Sequence, residues 1–181
     1  AFGSSEITSV HFLKALSQFM VMCVSSNSKY DSVMSNYGAK FTSIEQAGYE
    51  IFIQQCGSCH KEPLFTDHSF RNNGIGIGNN MDSGRFAVTL DIADLYKFKV
   101  PSLRNLQYTA PYMHDGRLYT LEAVLEQYAV HTQPMPNLDP LLQQNGIVGI
   151  PLSAKEKEAL LAFLKTLNDK KFVTNPMLSE Q

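Results

Sequence analysis

Apolar residues recur at helical spacing in four stretches of the chain, and polar, turn-forming residues separate them. Val10, Leu13, Leu16, Met20 and Cys23 predict a first helix from about Glu6 to Val24, read as core-facing. "SSNSKYDSVMSNYGAKFTS" supplies turn formers and a short helix around Asp31. A second long helix starts near Thr42, where Thr42 and Glu45 have the spacing of a capping box, and runs through "IEQAGYEIFIQQ". "YTLEAVLEQYAVH" predicts a third, with Thr120 as cap and Leu121, Val124, Leu125 and Tyr128 on one side. "LSAKEKEALLAFLKTLND" predicts the last, with Ser153 and Glu156 as a capping box and Leu160, Leu164 and Leu167 as its stripe. Residues 61–119 read as mostly irregular, rich in Gly, Pro, Asn and Asp. The expected organisation is a leading helical segment over 1–40, an all-α domain over 41–170 and a surface tail over 171–181, with no internal repeat.

Composition narrows the class. The chain has 181 residues, 44% of them hydrophobic, enough for one folded domain. With 15 basic and 17 acidic residues the net charge is −2, so no nucleic-acid partner and no polybasic membrane contact is expected. No run reaches the roughly 18 apolar residues of a membrane span. "AFGSSEITSV" lacks the basic start and apolar run of a signal peptide, as expected of a mature or excised form. Three cysteines are too few for a disulfide framework, and Cys23, in "FMVMCVSS", reads as a small buried hydrophobe. "NNGIGIG" neither follows a strand nor opens an amphipathic helix, so it reads as a turning loop rather than a phosphate cradle.

The chemistry concentrates in "QQCGSCHKEPLFTD", where Cys56, Cys59 and His60 fall close together. A thiol redox pair belongs at the N-terminus of a helix that follows a strand, whereas here an amphipathic helix precedes the motif. A structural zinc site needs four ligands, and no second Cys-x-x-Cys exists. Covalent haem fits: two thiols one helical turn apart can each bond a vinyl group on one porphyrin edge, and His60 then lies under the iron. Gly48, Phe52 and Cys56 are spaced four apart on one helical face, a pattern similar to the N-terminal helix of c-type cytochromes. The expected partner is the last helix, through Leu160, Phe163 and Leu164, giving a cytochrome c-like all-α fold with long irregular loops.

"DSGRFAVT", "FKVPSLRNLQYTAPYMHDGRLYTLEAVLEQY" and "LSAKEKEALLAFLKTL" resemble the C-terminal half of bacterial di-haem cytochrome c peroxidases and their MauG-type relatives. The resemblance runs from about Phe2 to Asp169, and Pro101 to Gly116 is its most specific block. It implies a periplasmic protein of two cytochrome c-like domains, in which peroxide binds at the N-terminal haem and the C-terminal haem relays electrons. This chain has one haem motif and no Trp, and the family carries its inter-haem tryptophan on the N-terminal half. The implied role is therefore electron relay, with a missing N-terminal haem domain and a small donor protein of cytochrome c or cupredoxin type as partners, and a homodimer as a further option. A monohaem electron carrier and a haem-free remnant are the rivals.

Residue by residue, the resemblance carries over Cys56 and Cys59 as thioether cysteines and His60 as proximal ligand. It also implies calcium held partly by the backbone carbonyls of Thr109 and Pro111, an oxygen-only set that suits this ion. Arg104 is open to a haem propionate or to a structural role, and His114 shares that choice. For the sixth iron ligand the candidates are Met113, Tyr128, His131 and Met135. The family ligand lies fourteen residues after the histidine of the Pro-Tyr-x-His segment, which from His114 is Tyr128, and MauG-type members carry tyrosine there. His131 is the next choice, three residues further on what would be the same helical face.

Overall fold

The structure, a computed structural model, describes residues 2–3, 5–78 and 81–179. The end of the glycine-rich loop (Asn79, Asn80) and the last two residues of the expected tail lie outside them. Seven α-helices are described: α1 (Ser9–Met22), α2 (Lys29–Met34), α3 (Ser43–Gln55), α4 (Phe86–Thr89), α5 (Leu121–Glu126), α6 (Ala154–Lys165) and α7 (Lys170–Val173). Two small antiparallel ladders pin the loops. β1 (Phe70–Arg71) pairs with β2 (Phe98–Lys99), and β3 (Gln143–Gln144) pairs with β4 (Ile147–Val148). The all-α, loop-rich class expected from the sequence is the one observed.

The helix starts follow from local chemistry. Thr42 and Ser153 accept from the backbone N–H groups of Glu45 and Glu156, whose carboxylates accept in return from the cap N–H groups. Each box satisfies two of the donors that a helix start leaves orphaned. Ser28 and Asp31 build a third box at α2.

The core forms where α3 crosses α6. Phe52, Phe65, Phe163, Leu160 and Leu167 are almost completely buried, with Tyr30, Leu125 and Leu164 around them. The Phe52 and Phe163 rings lie 5.0 Å apart, and Tyr30 meets Phe65 edge-on at 4.8 Å. Gly48 is what permits the crossing. A Cβ there would come within 2.6 Å of the Ala159 carbonyl carbon.

The leading segment divides into two parts. Residues 25–40 belong to the domain: Tyr30 enters the core, its hydroxyl donates to Glu62 (2.5 Å), and Lys29 pairs with Glu45 (2.6 Å). The buried Asp169 carboxylate accepts from the Asn27 N–H (2.8 Å) and the Ser25 hydroxyl (3.3 Å). Helix α1 behaves differently. It was expected to face the core, yet none of its residues is buried. Cys23, expected to be buried, is exposed. An apolar stripe states that a face needs cover, and among the described residues Leu16, Phe19 and Met20 stay exposed. Among the described residues no helix is long and apolar enough to cross a membrane.

Candidate haem-attachment site

Helix α3 ends on the Cys-x-x-Cys-His motif. Cys56 caps it, with its N–H donating to the Phe52 carbonyl (2.8 Å), and the Cys59 and His60 N–H groups both donate to the Cys56 carbonyl (3.2 and 2.9 Å). This turn gathers the two thiols and the imidazole at one end of the helix. Burial pushes the Cys56 thiol up to about 12, with Cys59 adding to it, and burial also raises Cys59. Such thiols are weak nucleophiles, the opposite of what a redox pair requires.

His60 Nδ1 lies 3.1 Å from the Phe65 carbonyl and 3.2 Å from that of Pro101. Two acceptors fix the proton on Nδ1 and so present Nε2 as a lone pair, and among the described residues Nε2 has no hydrogen-bond partner. Burial lowers the imidazole pKa, against the two carbonyl contacts, which favours the neutral ligating form. This is the usual arrangement of a metal-bound histidine, whose second nitrogen is held by a carbonyl. The residues present thus fit covalent haem c: Cys56 and Cys59 would hold its edge and His60 its iron.

Tyr128 sits in a π-helical turn, Gln127–His131, which continues α5. Several contacts hold that turn open. The Tyr128 carbonyl accepts from the Ile150 N–H (2.7 Å) and the Thr132 hydroxyl (3.3 Å), and the buried Gln127 amide donates to the His131 carbonyl (2.9 Å). Gly149 is needed beside it: its φ is +91° and a Cβ would lie 2.5 Å from the Tyr128 carbonyl oxygen. The Tyr128 hydroxyl is 3.4 Å from the Asn73 amide nitrogen, which also lies 3.5 Å from the Met113 sulfur. Asn73 is oriented, since its Oδ1 accepts from the Ile75 N–H (3.3 Å). Burial raises the Tyr128 phenol; Asn73 opposes this, and the nearby Cys56 and Cys59 add to it. Tyr128 therefore lies close enough to Cys56 and Cys59 to feel their charge.

The other sixth-ligand candidates are placed differently. His131 is exposed, because the π turn replaces the i, i+3 relationship assumed for a regular helix. The Met135 sulfur accepts from Asn72 (3.6 Å) in a loop tied down by Asn137 and by the Gln133 N–H. Met113 is adjacent to Tyr128 through their shared Asn73. Asn73 itself was missed in the sequence, where its loop offered only glycines and a role as a turn.

Arg104 directs four N–H donors at protein acceptors. Nη1 and Nη2 grip Asp31 (3.0 and 2.8 Å), and Nε and Nη2 reach the Pro63 carbonyl (3.0 and 2.8 Å). These bonds fix α2 to the loop after the motif, which is the structural one of the two roles left open. His114 stacks on Phe98 at 3.7 Å, a loop-fixing contact, and burial lowers its pKa. Thr109 and Pro111 are exposed, and among the described residues neither carbonyl accepts a hydrogen bond. Tyr108, Ala110 and Tyr119 are exposed nearby.

No family model matches the chain. It is 36% identical over 170 residues to the methylamine utilization protein MauG of Methylorubrum extorquens, covering 92% of this chain and 47% of that protein. It is 33% identical over 196 residues to cytochrome-c peroxidase IdrP2 of Denitromonas iodatirespirans, covering 92% and 51%. The chain belongs to the di-haem cytochrome c peroxidase and MauG family. A crystal structure of a MauG-like protein associated with microbial copper homeostasis superposes with a TM-score of 0.82 at 33% identity, over 97% of this chain and 58% of that one. The chain thus spans about half the length of the curated relatives it matches.

Proposed function

We propose that this chain is the electron-relay haem c domain of a two-haem oxidoreductase whose complete form reduces hydrogen peroxide to water. The observation that carries this reading is the pairing of His60, held at Nδ1 by the Phe65 and Pro101 carbonyls, with Tyr128 beside the attachment cysteines. Bound there, haem c would supply a one-electron ferric/ferrous couple. His60 and Tyr128 would both hold the iron, which would leave peroxide no place to bind at this site. Bound to that iron as an anionic donor, the Tyr128 oxygen would favour the ferric state and a low potential. A monohaem carrier is the weaker alternative, because the relatives are peroxidases and MauG proteins.

The same reading supplies the partners: an N-terminal haem domain of the family and a small electron donor of cytochrome c or cupredoxin type, in the periplasm. The exposed Thr109 and Pro111 carbonyls, free of internal hydrogen bonds, suit a shared calcium ion. Production with haem-attachment machinery should add the mass of one haem to this chain, and Tyr128→Phe should change its absorption spectrum and raise its potential. An unmodified mass beside a maturing control cytochrome, or an unaltered spectrum and potential in Tyr128→Phe, would overturn the reading.

A further inference from the structure

Helix α1 repeats the face by which α6 covers α3. In α6 the packed residues are Ala159, Leu160, Phe163 and Leu164, followed by Leu167. In α1 the same spacing holds Ala15, Leu16, Phe19 and Met20, followed by Cys23. The two stripes have opposite fates. Leu160, Phe163 and Leu164 are 1%, 0% and 7% exposed, whereas Leu16, Phe19 and Met20 are 44%, 47% and 63% exposed. No repeat was expected from the sequence, because the similarity is confined to one helical face and becomes visible only when the packing of α6 is known.

The α6 face is specific in what it takes. It receives a helix with glycine at the crossing point and phenylalanine one turn on, which is Gly48 and Phe52 of α3. Only a glycine allows that approach. The α3 face is already covered by α6, so among the described residues neither this chain nor a second copy has a free helix of that pattern. The curated relatives are about twice as long as the chain.

From this we infer that α1 is the closing helix of a second cytochrome c-like domain, and that its Leu16–Phe19–Met20 face docks on that domain's haem-attachment helix. The inference rests on the reading of the chain as half of a two-haem protein. It moves the boundary between the halves to the segment after α1. Residues 25–40, tied to Asp169, Glu62 and Arg104, stay with the relay domain. Capping and packing by α1 then make the upstream domain dependent on this half of the chain.

Hydrogen-exchange mass spectrometry tests it, comparing the 181-residue chain with the complete gene product, both haem-loaded. Amides of residues 9–22 should exchange at least about 100-fold more slowly in the complete product. Phe19→Asp should abolish that protection and lower the melting of the upstream domain, leaving the transition of residues 25–169 in place. A product with two haems and an unprotected α1 overturns the inference while the relay reading survives. A product with one haem overturns both. Protection of α1 in a dimer of the 181-residue chain that persists unchanged in the complete product would assign the face to a second copy instead. Protection on phosphatidylcholine vesicles, with none in the complete product, would assign it to a membrane surface.

Discussion

Gly48 and Phe163 meet across the α3–α6 crossing with no space for a methyl group. A Cβ on Gly48 would stand 2.9 Å from the Phe163 Cβ and 2.6 Å from the Ala159 carbonyl carbon. Helix propensity alone favours alanine over glycine by about 1 kcal/mol. Overpacking opposes it by about 1–3 kcal/mol, and the obstacle here includes backbone that cannot rotate away. Gly48→Ala should therefore lose up to about 2 kcal/mol in urea denaturation of the haem-loaded chain. A gain in stability would show that the helices can part at little cost.

Arg104 and Asp31 form a largely buried fork that joins α2 to the loop after the haem motif. Arg104→Ala leaves Asp31 without its partner and should cost about 2–4 kcal/mol. Arg104→Lys should recover less than half of that, since an ammonium cannot make the fork. Haem content per folded molecule should stay unchanged in both. A selective loss of haem from folded protein would restore the propionate role.

The Asn73 amide contacts the Tyr128 hydroxyl, and its loss should oppose that of the tyrosine. An N–H donated to the phenolic oxygen draws charge from it. Asn73→Leu should make that oxygen a stronger donor and shift the potential to lower values, whereas Tyr128→Phe should raise it. In a Tyr128→Phe background Asn73→Leu should have no further effect on the potential, because coupled residues are non-additive. Equal shifts in both backgrounds would mean that Asn73 acts elsewhere.

Asp169 sets an acid limit on stability. Burial pushes its pKa up, but the N–H groups of Asn27 and Phe172 and the Ser25 hydroxyl prevail and hold it below the ordinary 3.8. A depressed folded-state pKa means that the contribution is complete at neutral pH and is lost as pH falls below the unfolded value towards the folded one. The stability difference between the natural chain and Asp169→Asn should thus be constant above about pH 5 and shrink below pH 4. Arg104-bound Asp31, also depressed, adds to the same limb. A difference independent of pH down to the acid transition would refute the assignment.

Local chemistry written in consecutive residues was enough to determine the helix starts and the attachment motif. Thr42–Glu45 and Ser153–Glu156 close their boxes within one turn, and Cys56, Cys59 and His60 need only the end of α3 to come together. The Gly48–Phe52–Cys56 face and the Leu160–Phe163–Leu164 face foretold the pairing that forms the core, because small and large residues at fixed spacing leave few ways to pack. Tertiary structure alone decided the rest. The π turn at Tyr128 exists because Ile150, Thr132 and Gly149, distant or irregular in sequence, satisfy and clear its carbonyl, and that turn moves His131 to the surface. Asn73 reaches Tyr128, and Arg104 reaches Asp31, across separations of 55 and 73 residues. Helix α1 marks the boundary between the two kinds of information. Its sequence declares an apolar face, and periodicity is blind to whether the matching surface lies within the chain.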